Sequence, residues 1–373
     1  GAQTIAETGD GVTLYASDNA SVKVSAKEKN RSSVRAWSAS IASPLFKDQN
    51  GTGGAAAANQ VGSDPQGNPA ADTKGNGYGA AFAVLNDHNE TLASIGNNVT
   101  VYAGGLEVTA EKIKVTTSDY KYNGAELNGN VILGTSPSTI IRVNTTDSPN
   151  YPLPLIMTDI TETGSTLADF LASHDYYVEA ASGSAGGSFA VLHISDITKA
   201  TMGDHVVLKL KDGGVTVSAK ADLRIVAVAG AVAYGTDKAT GASVIYTEDT
   251  GEVKAMAGDG LVIETTGNVK FNADADCVEV ILSSAGVQSG NSAGTSFPSE
   301  GVLNICYSEK NIISAAGKDA VIGTYNDPSW DVSFNADYNF TRTDVTGGAS
   351  VSKGGIGTGS AAGYIILKDN VIA

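Results

Sequence analysis

The stretch Phe82-Ala-Val-Leu85 decides the fold, because the same four residues return at Phe189-Ala-Val-Leu192. Each copy is followed, at the same distance, by a short polar sequence, Gly96-Asn97 after the first and Gly203-Asp204 after the second. Two looser copies run from Val244 to Gly258-Asp259 and from Leu303 to Gly317-Lys318. A block that recurs without gaps predicts a repeat architecture, in which each unit packs against its neighbours.

The two ends of the chain fall inside the same unit. Residues 4–10 resemble its second half, and residues 364–369 resemble its first half. We therefore expect residues 1–373 to form a single elongated domain that is a fragment of a longer array.

Composition favours thin strands over an α/β enzyme. Hydrophobic residues make up 42% of the chain, but aromatic residues make up only 6%, and there are 44 glycines. Small residues and tight turns suit short strands. The formal net charge of -16 argues against a nucleic-acid or anionic-lipid partner, which this surface would repel. No apolar run approaches the roughly 20 residues that cross a bilayer, so we expect no membrane insertion in this fragment.

A second strand follows each recurring block and reads apolar-x-apolar-x-Ala. Alternation with a period of two places these three side chains on one face and polar residues on the other, as in a half-buried strand. The five copies are Val22, Val24, Ala26; Leu106, Val108, Ala110; Val215, Val217, Ala219; Val269, Phe271, Ala273; and Val332, Phe334, Ala336.

These patterns predict an all-β, right-handed parallel β-helix. The shortest unit, Gly203 to Gly258, spans 55 residues, which suits two or more coils built from strands of about five residues. Tandem immunoglobulin-like sandwiches are disfavoured because Trp37 and Trp330 do not recur at matching places. A trimeric fibre is disfavoured because a short strict repeat is missing.

Two insertions separate the repeated blocks. Residues 44–79 are predicted to form a flexible loop, since they contain too few large apolar residues to offset the entropy lost when the segment is ordered. The larger insertion, residues 118–175, contains a predicted short helix at 166–174 that Ser165 can cap. Tyrosines cluster around it and either bind a ligand or pack the insertion onto the solenoid. They are Tyr120, Tyr122, Tyr151, Tyr176 and Tyr177.

One weak metal candidate is present. The side chains of Asn272, Asp274 and Asp276 share one face of a predicted strand and could bind calcium. Cys277 and Ser283 replace the glycine and glutamate that an EF-hand loop requires, so a solvated acidic strand face is the favoured interpretation.

Histidine and cysteine offer no metal or cofactor motif. His88, His174, His193 and His205 lack metal-site spacing, and we expect His88 and His193 at turns or outward strand positions. Cys277 and Cys306 lie in strand-like runs, where buried free thiols are favoured over a bridge between neighbouring coils. The sequence predicts no cofactor.

Residues 99–112 (VTVYAGGLEVTAEK), residues 227–235 (AVAGAVAYG) and the recurring Phe-Ala-Val-Leu block resemble the large repetitive exoproteins of Gram-negative bacteria. These are filamentous-haemagglutinin-like and leukotoxin-type filamentous adhesins and related autotransporter passengers. The resemblance implies a right-handed parallel β-helix, type V secretion and an extracellular, cell-surface location. It also implies a host or bacterial cell-surface glycan or protein as the partner.

We therefore expect a non-catalytic adhesin segment, a β-helical spacer whose insertions carry recognition. Two alternatives remain: a purely structural stalk of an exoprotein, and a β-helical polysaccharide-degrading enzyme.

Overall fold

The protein is built from three parallel β-sheets. The computed structural model describes residues 2–29, 32–37, 79–113, 121–122, 125–126, 176–182, 185–211, 213–235, 240–289, 299–324, 331–352 and 357–373. Within these ranges all regular elements are strands, and no helix capable of crossing a membrane is found.

The strands differ greatly in length. In chain order they are β1 (Ala2–Glu7), β2 (Thr13–Tyr15), β3 (Ser21–Glu28), β4 (Ser32–Trp37), β5 (Gly79–Ile95), β6 (Thr100–Ala103), β7 (Gly105–Lys112), β8 (Lys121–Tyr122), β9 (Ala125–Glu126), β10 (Tyr176–Ser182), β11 (Ala185–Met202), β12 (Val207–Leu210), β13 (Val215–Gly235), β14 (Thr240–Ala257), β15 (Val262–Thr265), β16 (Val269–Ser289), β17 (Ser299–Ala315), β18 (Val321–Thr324), β19 (Val332–Ser352), β20 (Thr358–Leu367) and β21 (Asn370–Ile372).

Successive passes of the chain stack the strands in register. The first sheet has the order β1-β5-β11-β14-β17-β20, with β21 also on β17, and the second has β18-β15-β12-β6-β2. In the third sheet β19, β16 and β13 pair in that order. One half of β13 also pairs with β7, which pairs with β3, and the other half pairs with β10, which pairs with β4. Among the described strands only the β8–β9 pair is antiparallel. The predicted all-β parallel solenoid is confirmed, and its right-handed sense stays a prediction.

Each sequence unit forms one coil, and the prediction of two or more coils per unit is wrong. Phe82 pairs with Phe189, Phe189 with Val244, and Val244 with Leu303, so the recurring blocks lie side by side in the first sheet. The error came from strand length, because β13 alone runs 21 residues where about five were expected.

The long strands divide the interior into two parts. In the three-sided part, three sheets enclose the core like a prism. Its sides are the later half of each first-sheet strand, the short second-sheet strand and the early half of each third-sheet strand. In the two-sheet part, the remaining halves pack face to face as a sandwich. In one coil the first part contains Ala200, Met202, Val206, Leu208, Val215 and Val217, and the second contains Ala190, Leu192, Ile194, Leu223, Ile225 and Ala227.

The second-strand prediction is confirmed by this core. The five apolar-x-apolar-x-Ala segments align residue for residue across β3, β7, β13, β16 and β19. In the three central coils all three side chains of the motif are buried in the prism.

A ladder of side chains explains why Asp or Asn ends the first three recurring blocks. The backbone N–H of Asn97 donates to Asp10 Oδ1 at 2.7 Å, and that of Asp204 to Asn97 Oδ1 at 2.8 Å. Asp259 N–H donates to Asp204 Oδ1 at 2.9 Å, and Lys318 N–H donates to Asp259 Oδ1 at 2.7 Å. Each acidic or amide side chain therefore satisfies a backbone donor in the next coil.

The glycine before the ladder residue is required by close approach in four of the five coils, at Gly96, Gly203, Gly258 and Gly317. A Cβ at Gly258 would lie 2.2 Å from Asp204 Oδ1 and 2.8 Å from its backbone nitrogen. The residue after the ladder position has left-handed backbone, with φ of 55° at His205 and 68° at Gly260.

Several predictions fall outside the described residues. They include the helix at 166–174 with its Ser165 cap. Trp330, which was used to argue against immunoglobulin-like sandwiches, also lies outside. The predicted loop at 44–79 is likewise outside, except for Gly79, which begins β5.

Candidate functional site

The larger insertion separates β7 from β10, two strands that lie in line beside β13 in the third sheet. β7 pairs with the first part of β13, ending at Lys112 opposite Ala221, and β10 pairs with the later part, beginning at Tyr176 opposite Ile225. The chain thus leaves and re-enters the sheet four residues apart on β13, a separation of about 13 Å at the rise of a parallel strand.

The predicted tyrosine cluster lies partly in this scaffold. Tyr176 and Tyr177 begin β10, opposite Ile225 and Val226 of β13. Tyr122 belongs to the small antiparallel pair of β8 and β9. Tyr120 and Tyr151 lie outside the described residues. A ligand-binding role for the five tyrosines stays a prediction.

The weak metal candidate faces outward on β16, next to basic and amide groups. Arg224 Nη2 lies 2.6 Å from Asp276 Oδ2, and Lys220 Nζ lies 3.8 Å from Asp274 Oδ2. Asn335 Nδ2 donates to Asn272 Oδ1 at 2.9 Å. These partners neutralise both carboxylates, which favours a polar outer face over a calcium site.

Three of the histidines lie within the described residues. His88 is exposed on β5, and His193 projects outward from β11 with Nδ1 2.8 Å from Glu248 Oε2. His205 occupies a turn. The outward strand positions expected for His88 and His193 are confirmed, and His174 lies outside the described residues.

An outward apolar stripe crosses the first sheet. Phe82 and Val84 expose 62% and 53% of their surface, while Ala83 and Leu85 between and after them are buried. The rings of Phe82 and Phe189 stack with centroids 5.1 Å apart. The stripe consists of two rows in register: Phe82, Phe189, Val244 and Leu303, and Val84, Val191, Tyr246, Ile305 and Tyr364.

Polar pairs border the apolar stripe further along the same strands. His193 and Glu248 form one pair, and Lys199 Nζ lies 2.8 Å from Glu252 Oε2. An apolar centre with a polar rim is typical of protein interaction surfaces, and contiguous exposed apolar area often marks a binding site.

A belt of buried ionised groups runs from the boundary between the two parts of the core into the two-sheet part, and we call it the ionic belt. Lys112 Nζ lies 2.6 Å from Asp196 Oδ2, with 2% and 5% of the side chains exposed. Lys310 Nζ lies 2.5 Å from Asp249 Oδ1, with 7% and 1% exposed. The remaining members, Glu279, Arg342 and Asp344, join the third-sheet strands β16 and β19, where Arg342 contacts both carboxylates.

The carboxyl groups of the belt have unequal pKa values. Burial raises the pKa of Asp196, but Lys112 and Lys310 together lower it below its ordinary value. Burial raises the pKa of Asp249, and Lys310 offsets this only in part. Burial and the charge of Asp249 raise the pKa of Glu279 to about 7 despite Arg342. Three cations face four carboxylates in the belt, so one carboxyl group can retain a proton near neutral pH.

The belt also contains one group of side chains with metal-ligand geometry. Ligand atoms of Asp249, Cys277 and Glu279 lie within 4.8 Å of one another. Lys310 and Arg342 already neutralise the carboxylates. Burial raises the pKa of the Cys277 thiol well above its ordinary value, which opposes the thiolate that binds metals. The residues therefore fit an ionic network better than a metal centre.

Cys277 and Cys306 are buried free thiols, which confirms the favoured interpretation over a bridge. Cys277 Sγ donates to Asp249 Oδ2 at 3.5 Å, and Cys306 Sγ to Glu279 Oε2 at 3.8 Å.

Comparison with known proteins finds no family model, no curated protein and no solved structure that matches this chain.

The apolar stripe and the ionic belt were both missed from sequence. The stripe had a readable signal, since strict alternation in Phe82-Ala-Val-Leu85 places Phe82 and Val84 on the face opposite Ala83 and Leu85. The belt had none, because Lys112 and Asp196 come together only through the stacking of coils.

Proposed function

We propose that this chain is a non-catalytic adhesin segment of a bacterial exoprotein, exported by a type V route and displayed outside the cell. Its β-helix acts as a stiff spacer, and the insertion after β7 carries recognition of a cell-surface glycan or protein. The resemblance of the repeats to filamentous adhesins and autotransporter passengers supports this proposal.

The observation that carries the proposal is the interrupted strand position. β7 and β10 keep their register with β13 on both sides of the insertion, so the scaffold is preserved where the chain departs from it. Entry and exit points this close permit a large insertion at little cost to the sheet, as in proteins that tolerate inserted domains.

The neighbouring coil provides a matched deletion. Residues 113–175 are replaced with Asp-Leu-Arg, the residues 222–224 that join the two halves of β13, so that β7 and β10 become one continuous strand. We expect unchanged far-UV circular dichroism and protease resistance, together with loss of binding to ligands found on glycan and host-protein arrays.

A second variant separates the insertion from the apolar stripe. Phe82→Ser with Val84→Ser changes only exposed side chains, so the fold should persist. Binding that survives the deletion but is lost in this variant would move recognition from the insertion to the stripe. Binding unchanged in the deletion variant would refute the assignment to the insertion.

A structural stalk is the second candidate, because the side-chain ladder links the turns of five successive coils, from Asp10 to Lys318. The absence of any array ligand for the intact chain would favour it.

A further inference from the structure

Lys310 and Asp249 form a close ion pair in the protein interior. They lie on adjacent strands, β17 and β14, and Asp249 pairs in register with Ser308, two residues before Lys310. Their nitrogen and oxygen atoms are 2.5 Å apart, and both side chains are almost fully buried. With an ordinary hydrogen-bond angle, Nζ lies about 3–3.5 Å from the carboxyl carbon, the separation of reacting atoms in a near-attack arrangement.

A third group, the carboxyl group of Glu279, completes the arrangement. Its oxygen lies within 4.8 Å of an Asp249 oxygen, and the residue is fully buried. One of its oxygens, Oε1, accepts no hydrogen bond from the described residues, although Oε2 contacts Arg342. A buried carboxyl group with one unpartnered oxygen beside an amine and an acid is placed to move a proton between them.

We propose that Lys310 and Asp249 condense to an intramolecular amide that joins the coils of β14 and β17 covalently. Burial lowers the pKa of Lys310, but the charges of Asp249 and Asp196 raise it above its ordinary value, so the ion pair is the resting form. The reaction begins when a proton passes from the Lys310 ammonium group to the Asp249 carboxylate, which makes the amine a nucleophile and the carboxyl group an electrophile. Nζ then bonds to Cγ, one Cγ–O bond breaks, and the oxygen leaves as water. The positive and negative charges disappear together, and no oxidant or other reactant is consumed.

Glu279 is a positioning and proton-transfer group in this reaction. In its protonated form it donates to the departing Asp249 oxygen, and it recovers a proton from the attacking nitrogen. Its pKa of about 7 supports this role, because both protonation states are then accessible near neutral pH.

The Lys112–Asp196 pair is the internal comparison. Its nitrogen and oxygen atoms are 2.6 Å apart, and both side chains are almost fully buried. Asp196, however, also accepts from Asn89 Nδ2 at 3.1 Å, and two lysines lower its pKa. These interactions stabilise the carboxylate, which resists attack. We expect this pair to remain ionic.

Mass spectrometry of the intact, denatured chain tests the proposal directly and does not depend on any binding activity. We expect a mass lower than the sequence mass by one water molecule. Trypsin should then leave residues 239–254 attached through Asp249 to residues 271–318, in which cleavage after Lys310 is blocked. A full sequence mass, or a water loss that maps elsewhere, would overturn the proposal.

Three variants separate the cross-link from folding. Lys310→Arg keeps the positive charge but should abolish the water loss, whereas the matched Lys112→Arg should retain it. Glu279→Gln keeps both reacting groups and should lower the cross-linked fraction at least tenfold in protein that is folded by circular dichroism. An unchanged fraction in Glu279→Gln would remove Glu279 from the reaction.

Discussion

Replacement of Arg342 by methionine tests how the ionic belt is stabilised. The guanidinium group is almost fully buried and donates to Asp344 Oδ2 from Nε at 2.8 Å and to Asp344 Oδ1 from Nη2 at 2.9 Å. It also donates to Thr247 Oγ1 at 2.9 Å and contacts Glu279. Methionine fills much of the same volume but leaves these oxygens without their donor.

The expected loss of unfolding free energy depends on pH. At about pH 8, where Glu279 is ionised, removal of one partner of a buried pair costs about 3–5 kcal/mol. At about pH 5, Glu279 carries its proton because its pKa is about 7, and the cost falls to about 1–3 kcal/mol for groups that lose a hydrogen bond. Urea unfolding followed by far-UV circular dichroism at both pH values measures the difference.

The double variant Glu279→Gln with Arg342→Met provides the control. It removes one of the two carboxylate charges that lose Arg342 in the single variant, so it should be more stable than Arg342→Met at about pH 8. A cost below about 1 kcal/mol at the higher pH, or equal costs at both, would refute the argument that a buried ionised Glu279 needs Arg342.

Three further predictions concern the wild-type chain and its packing. While Lys310 and Asp249 are ionised, the folded-state pKa of Glu279 is raised, so its contribution to unfolding free energy is greatest below the ordinary value of 4.5 and falls by roughly 3 kcal/mol as pH rises through about 7. Glu279→Gln should flatten this slope, and an unchanged slope in urea titrations would assign it elsewhere. Gly258→Val should destabilise by several kcal/mol in thermal melts, because its Cβ would lie 2.2 Å from Asp204 Oδ1, whereas Gly323→Ala, with nothing within 4 Å, should change little. Equal melting temperatures would contradict this. Leu192→Ala should cost about 2–5 kcal/mol because Leu192 is fully buried in the sandwich, and a loss below 1 kcal/mol would show that the site collapses around the cavity.

Much of the scaffold could be predicted because its signals are local. Alternation in Val215, Val217 and Ala219 identifies the buried face of a strand without reference to any other part of the chain. The larger insertion was placed from the blocks before and after it, which keep their length, and its bounds stay a prediction. The number of coils per unit was not predicted correctly. β13 continues past the apolar run, and no turn within it marks where the strand ends.

The candidate sites divide in the same way. Phe82 and Val84 could have been assigned to an outer face by alternation alone, although not the stacking of Phe82 on Phe189. Asp249 and Lys310 could not have been paired from sequence, since the acid lies in β14 and the amine in β17. The pKa of Glu279 depends on burial by side chains from several coils.

The sequence by itself determined a repeated, parallel, all-β scaffold and the inward face of its third sheet. The tertiary structure alone decided that each unit is one coil, that its core has two parts, and which charges meet between them. The physical reason is range: alternation and turn chemistry act between residues close in the chain, whereas burial and ion pairing act between coils stacked in space.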